Sequence, residues 1–209
     1  CPRIDFDSYE DFAENFRIEV PEAFNFGFDV VDEWAAVEPD KRALLWTNDA
    51  GEERTFTFAD IKRLSNQAAN AFAELGIGKG DVVLCILRRR WEYWICAVAL
   101  CKLGATIIPA SLQLTRKDVV YRVNSADVKA IVAVNDDYVC TQVEQAMPDC
   151  PSVIEKFIVD GSREGWVDFD DLIAGFPDTF ERPTGEAAVT SKDIMLMYFT
   201  SGTTGNPKA

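Results

Sequence analysis

The 209 residues contain no histidine, which removes Ser-His and Cys-His nucleophile pairs, imidazole general bases and the commonest nitrogen ligand for metals. Positive charge is also scarce. Lys and Arg number 21 against 35 Asp and Glu, and the net charge of −14 repels polyanions and anionic lipid at long range. Nucleic acid and membrane surfaces are therefore not expected partners. A small anion such as ATP remains admissible, because backbone amides and one or two cations make a local positive site inside an acidic protein. The six cysteines, Cys1, Cys85, Cys96, Cys101, Cys140 and Cys150, include no CxxC pair and mostly sit in apolar runs. Buried free thiols in a reducing compartment are expected. The longest apolar run, Trp91 to Cys101 with only Glu92 interrupting, is too short to span a bilayer, so no integral membrane segment is expected. No signal peptide is recognisable, and the default expectation is a cytoplasmic address.

What is present is enough apolar material, 48% of the residues, to bury a substantial core. Phe24, Phe26, Phe28, Val31 and Trp34 lead into an expected helix ending near Glu38-Pro39, the close of an acidic, aromatic N-terminal wrap. Ala43 to Thr47 and Arg54 to Phe58 flank the polar turn Asn48-Asp49-Ala50-Gly51 and read as a β-hairpin. A capping box, Thr57 to Asp60, opens an amphipathic helix carrying Ile61, Leu64, Ala68, Ala71, Phe72 and Leu75 up to Gly76. Short continuous apolar runs then follow, at Val82 to Leu87, Ala105 to Ile108, Ala130 to Val134, Phe157 to Val159 and Ile194 to Phe199, and read as strands buried on both faces. Helical stretches separate them at Trp91 to Leu103, Arg116 to Asn124 and Asp136 to Met147. That alternation predicts an α/β fold, a mostly parallel sheet flanked by helices. Residues 160 to 191 read as a surface excursion with a short helix around Phe169 to Ile173.

The informative segment comes last. Thr200, Ser201, Gly202, Thr203, Thr204, Gly205 and Lys208 follow the last apolar run and combine four hydroxyls, two flexible glycines and a cation. Such a set suits a polyphosphate, whose oxygens need several short charge-assisted hydrogen bonds. A P-loop would need Gly-Lys-Ser/Thr after its four-residue spacer, whereas Pro207 precedes Lys208 and Ala209 follows it. A flexible Ser/Thr/Gly linker has similar composition, but the order of residues after a strand-like run argues against it.

Tyr198-Phe199-Thr200-Ser201-Gly202-Thr203-Thr204-Gly205-Asn206-Pro207-Lys208 resembles, at every position, the AMP-binding signature of the acyl-adenylate-forming superfamily. Two further blocks are similar to its medium-chain acyl-CoA synthetase and acetate-CoA ligase branch: Phe24 to Trp34, and Lys102 to Ala110 continued by Gln113-Leu114-Thr115 and Asp118 to Arg122. The resemblance implies an ATP-dependent ligase that joins a carboxylic acid to CoA through an acyl-adenylate. ATP, Mg²⁺ and CoA are then the implied cofactors and co-substrates, and Thr200 to Lys208 would hold the β- and γ-phosphates. It also implies that residues 1–209 form part of an N-terminal adenylation domain. The remaining ATP contacts and a mobile C-terminal domain would lie beyond Ala209, leaving the 209 residues alone inactive and weak for ATP. Two alternatives stay open: a carrier-protein thiol or other nucleophile as acceptor, and a noncatalytic nucleotide-binding fragment.

Other residues carry weaker signals. Arg88-Arg89-Arg90, after a strand and beside Trp91, Tyr93 and Trp94, admit an anion contact at the sheet's carboxyl edge, although a solvated cationic face is the plainer reading. Trp91, Trp94, Ile95 and Val98 are expected to pack on the sheet. Asp136-Asp137 read as a helix cap rather than a paired-carboxylate site, and no metal site is expected.

Overall fold

The structure is a computed structural model and describes residues 3–200. Two faces of one parallel sheet organise it. The strands are β3 (Val82–Ile86), β4 (Thr106–Pro109), β5 (Val128–Val134), β6 (Glu155–Val159) and β7 (Val167–Asp168), in the spatial order β4-β3-β5-β6-β7, all parallel. Side chains alternate across a pleat, so a run that is apolar throughout must find cover on both faces. Val83, Cys85, Ala130, Val132, Phe157 and Val159 point to one face, under α3 (Phe58–Glu74), α4 (Glu92–Leu103) and α7 (Phe169–Ala174). Val82, Leu84, Ile86, Ile131, Ala133 and Ile158 point to the other, under α5 (Arg116–Ala126) and α6 (Asp137–Ala146). Phe72 of α3 meets Phe157 edge-on at 5.5 Å and Phe169 at 5.9 Å, and burying each ring contributes about 1.5–3 kcal/mol.

Ahead of the sheet come α1 (Tyr9–Asn15), a π-helical turn at Gly27–Asp32 running into α2 (Glu33–Val37), and the hairpin β1 (Arg42–Thr47) and β2 (Glu53–Thr57). Both expected capping boxes form, with Thr57 and Asp60 opening α3 and Thr115 and Asp118 opening α5. Asp136 caps α6 by accepting from Val139 N, and Asp137 pairs with Arg163. Cys85, Cys96, Cys101, Cys140 and Cys150 are free and buried, as their apolar context predicts.

Three features differ from the sequence reading. α1 was not expected; a Ser8 cap starts it, but none of its residues is buried. The excursion is more than a surface loop, because it adds β7 to the sheet and then straps the N-terminal wrap to α3. Asn66 and Asn70 donate to the Asp178, Pro177 and Thr179 carbonyls, Phe180 stacks on Phe28, and Arg182 holds Asp29 and the Ala23 carbonyl. Finally, Ile194 to Phe199 is not a strand buried on both faces. Leu196 makes one isolated parallel bridge to Ile107, and Ile194, Met195, Leu196 and Tyr198 are exposed. β4 is the edge strand of the five-stranded sheet.

A charged core lies beneath the wrap. Lys102, with no exposed surface, donates to Asp32 Oδ1 (2.7 Å), Asn66 Oδ1 (2.6 Å) and Ser65 Oγ (3.2 Å). Gly27 is there because of it: a Cβ at that position would come 2.6 Å from Lys102 Cγ.

Candidate functional site

The final described segment is held in the sense of a sixth parallel strand. Ile107 N donates to Met195 O at 3.1 Å and Met197 N to Ile107 O at 3.0 Å, while Thr106 Oγ1 donates to Ile194 O at 2.7 Å. Its lower end is tied by Lys79, which bridges Asp193 at 3.2 Å and donates to Ala188 O. Met197 and Phe199 turn inward onto the core, and Phe199 meets the Tyr121 ring edge-on at 6.2 Å. The chain therefore reaches Thr200 heading toward the carboxyl ends of the strands, the side on which open α/β sheets bind ligands. Thr200 is exposed. Ser201, Gly202, Thr203, Thr204, Gly205 and Lys208 lie outside the described residues.

Beside this edge is a cleft of about 460 Å³, walled by Leu45, Leu87, Tyr93, Trp94, Pro109 and Ala110. Burial, with a smaller contribution from Tyr198, pushes the Tyr93 hydroxyl up to about 12, so it stays protonated and able to donate at neutral pH. Trp94 departs from the expected packing and is 53% exposed, whereas Trp91, Ile95 and Val98 are buried. It stands in the first turn of α4, level with the strand ends, and becomes a wall of the cleft instead of core.

The arginine triplet divides. Arg90 forms a two-pronged bond to Glu92, Nε to Oε2 at 3.1 Å and Nη2 to Oε1 at 2.7 Å, and also reaches Asp160 at 3.0 Å. Glu92 has no exposed surface. The turn is pinned again where Trp46 Nε1 donates to Arg89 O at 2.6 Å. Asp170, half-buried, adds a second acid: its enclosed Oδ1 has no partner among the described residues, and burial, then Glu92 and Asp168, raise its pKa to about 6. Sequence reasoning did not find Glu92 and Lys102 as buried groups or Asp170 as a half-buried one. The available signal was a charge inside or beside an otherwise apolar helix.

Asp170 sets a pH dependence. Its pKa in the fold lies above the unfolded value of 3.8, so the stabilisation from protonating it is complete below about 4 and is lost as pH rises through about 6. At pH 7 to 8 the ionised group carries a cost. Asp170→Asn is expected to raise stability there by about 1–2 kcal/mol, a figure reduced for its partial solvent access, and to abolish the gain on acidification. Urea midpoints at pH 7.5 and pH 5 test this, and an unchanged pH response in the variant would contradict it.

The family model for AMP-binding enzymes matches residues 31–209. The chain belongs to the AMP-binding enzyme family. It is 35% identical over 212 residues to the human acyl-coenzyme A synthetase ACSM3, mitochondrial, covering 97% of this chain and 35% of that protein. To the rat acyl-coenzyme A synthetase ACSM5, mitochondrial, it is 38% identical over 197 residues, covering 90% and 33%. The chain thus spans about a third of the length of these curated relatives. Among solved structures, the anthranilate CoA ligase AuaEII in complex with anthranoyl-AMP superimposes with a TM-score of 0.79 at 24% identity, over 90% of this chain and 34% of that one, a likeness of fold. These relatives overturn the cytoplasmic expectation, since they are mitochondrial by name. The absence of a recognisable leader carried no address, and free thiols fit any reducing compartment. Among the described residues no helix is long and apolar enough to cross a membrane.

Proposed function

We propose that the protein to which these residues belong activates a carboxylic acid with ATP and passes the acyl group to the thiol of CoA. In the first half-reaction a carboxylate oxygen bonds to the α-phosphorus as the bond to pyrophosphate breaks, giving an acyl-adenylate. In the second the thiol sulfur bonds to the acyl carbon, AMP leaves and the thiol proton goes to solvent. The observation that carries this reading is the Thr200–Lys208 run, entered from a segment laid parallel to β4 and aimed at the carboxyl edge. The names of the acyl-coenzyme A synthetase relatives support it.

The chain's own residues have modest tasks in such a reaction. Thr200, Ser201, Thr203 and Thr204 would donate hydroxyls to the β- and γ-phosphate oxygens, Gly202 and Gly205 would let the backbone amides approach, and Lys208 would neutralise charge on the departing pyrophosphate. Positioning and charge neutralisation are most of what phosphoryl-centre chemistry needs, so a segment without histidine is adequate. Mg²⁺ fits this donor set as an ion carried by the phosphates: the run offers neutral hydroxyls and no carboxylate of its own. When bound, it would lower the charge on the triphosphate. Residues 1–209 would be a partial N-terminal adenylation domain, inactive by itself.

The test is acid-dependent exchange of pyrophosphate into ATP by the intact protein over a broad panel of acids. Lys208→Ala is expected to lower exchange by about 100-fold or more. A wild-type protein inert toward every acid would overturn the proposal. Thioester formation with free CoA separates CoA from a carrier-protein acceptor.

A further inference from the structure

Among the described residues, the carboxyl edge of the sheet holds a cationic turn, Arg88-Arg89-Arg90. In the order β4-β3-β5-β6-β7 the direction of strand addition reverses between β3 and β5, which leaves an open crevice at their carboxyl ends. Here the crevice is about 280 Å³ and lies between the turn after β3, the end of β5 and the hairpin turn, with Thr47, Asp49, Arg88, Arg89, Val134 and Asp160 around it. Arg90 is committed to Glu92 and Asp160, and the Arg89 carbonyl is tied to Trp46, so the backbone of the turn is rigidly set. The other two guanidinium groups have no buried partner: Arg88 pairs only with the exposed Asp49, and Arg89 pairs with none of the described residues.

Arg88 has a left-handed backbone, φ 47°, which a side-chain-bearing residue adopts only at a cost of about 1–3 kcal/mol in sparsely populated regions. Its one ion pair among the described residues is a loose, solvent-exposed contact with Asp49 at 3.3 Å, with the two side chains 60% and 91% exposed. The Arg89 side chain is exposed and makes no hydrogen bond, ion pair or ring contact among the described residues. Two adjacent like charges are thus held side by side on a fixed turn, against their mutual repulsion, in a protein whose net charge is −14.

We propose that Arg88 and Arg89 form a phosphate-binding subsite in the crevice between β3 and β5. The planar guanidinium fork matches a phosphate's oxygens two at a time, and two forks on one turn can grip two faces of a single phosphate or a diphosphate. The crevice shares Trp46, Thr47 and the arginines with the cleft walled by Tyr93, Trp94, Pro109 and Ala110. Its ligand is therefore a small phosphate-bearing molecule with a planar or aliphatic arm that lies along these residues toward Thr200. The net charge of −14 disfavours a polynucleotide in this place. The subsite is built from residues other than the hydroxyl run and does not depend on the acid-activating reading.

Inorganic pyrophosphate is the probe, added to the intact protein already saturated with a non-hydrolysable ATP analogue and followed through tryptophan emission, since Trp46 and Trp94 line the two cavities. A saturable change is expected, weakening as salt is raised. Arg88→Ala/Arg89→Ala should bind about 10-fold or more weakly, because charge-assisted bonds are lost from both forks. Arg88→Gln/Arg89→Gln, which keeps much of the side-chain length, should do the same, and Asp49→Asn should bind more tightly because a competing carboxylate is gone. The urea midpoint of the double variants should match wild type, since both side chains are exposed. Unchanged affinity in the double variants, or no saturable response in wild type at millimolar pyrophosphate, would overturn the subsite whatever the exchange assay returns.

Discussion

Lys102→Ala is expected to destabilise the protein by about 3–5 kcal/mol, the cost of removing one partner from a buried pair. The ammonium group is fully enclosed and has three oxygen acceptors, Asp32, Asn66 and Ser65, drawn from the N-terminal wrap and from α3. Burial pushes its pKa down from the usual lysine value, against the raising effect of Asp32, so the charge is retained only because its partners are in place. Alanine would strand the Asp32 carboxylate and the Asn66 and Ser65 oxygens, and would also empty the space of the stem that packs against Gly27. Lys102→Met keeps the stem and isolates the electrostatic part. Adding Asp32→Asn to Lys102→Met should recover a large share of the loss, since no uncompensated charge then remains. Denaturant unfolding of the intact protein measures all three. Midpoints for Lys102→Ala within about 0.5 kcal/mol of wild type would show that water reaches this group.

Arg90→Ala is the second large effect, with an expected loss of about 2–4 kcal/mol at pH 7.5, reduced from the full buried-pair cost because Arg90 keeps 16% of its side-chain surface. Glu92 would lose both prongs of its only ion pair among the described residues while staying enclosed, with the Asp170 carboxyl nearby. Asp170 would lose a counter-charge that now holds its pKa down, so its carboxyl pKa in the fold rises further. A raised carboxyl pKa makes stability rise as pH falls, so the deficit of Arg90→Ala should narrow between pH 7.5 and pH 5. Glu92→Gln in the Arg90→Ala background should restore at least half of the loss at pH 7.5. A deficit independent of pH, unaffected by Glu92→Gln, would mean that Arg90 acts through its packing over Trp46, 5.2 Å from the ring, instead of through charge. The effect reaches the site as well, because Arg90 and the Trp46–Arg89 bond are what hold the turn on which Arg88 and Arg89 sit.

The hydrophobic run at Ile194 to Phe199 is instructive about what sequence patterns mean. Apolar content marked it as chain that must be covered, but not by what. The bonds to Ile107 give it strand direction, and residues equally apolar in sequence end up divided between half-buried, Met197 and Phe199, and exposed, Ile194, Met195, Leu196 and Tyr198. Trp94 teaches the same lesson within a helix. Period 3.6 placed it near Trp91 and Val98, yet it projects at the level where the strands end.

The sequence by itself determined the α/β class, the parallel order of elements, both capping boxes, the hairpin, and family membership through the eleven-residue run from Tyr198 to Lys208. These are local or periodic properties, and local backbone preference with apolar patterning is enough to specify them. Only the tertiary structure decided which charges are interior, which of three neighbouring arginines is committed to a carboxylate and which two remain open to solvent, and where the crevice lies. Those outcomes depend largely on residues far apart in the chain, such as Lys102 with Asn66, 36 positions apart, and Arg90 with Asp160, 70 positions apart. Burial and Coulomb energy act on distance in space, which spacing along the chain does not record.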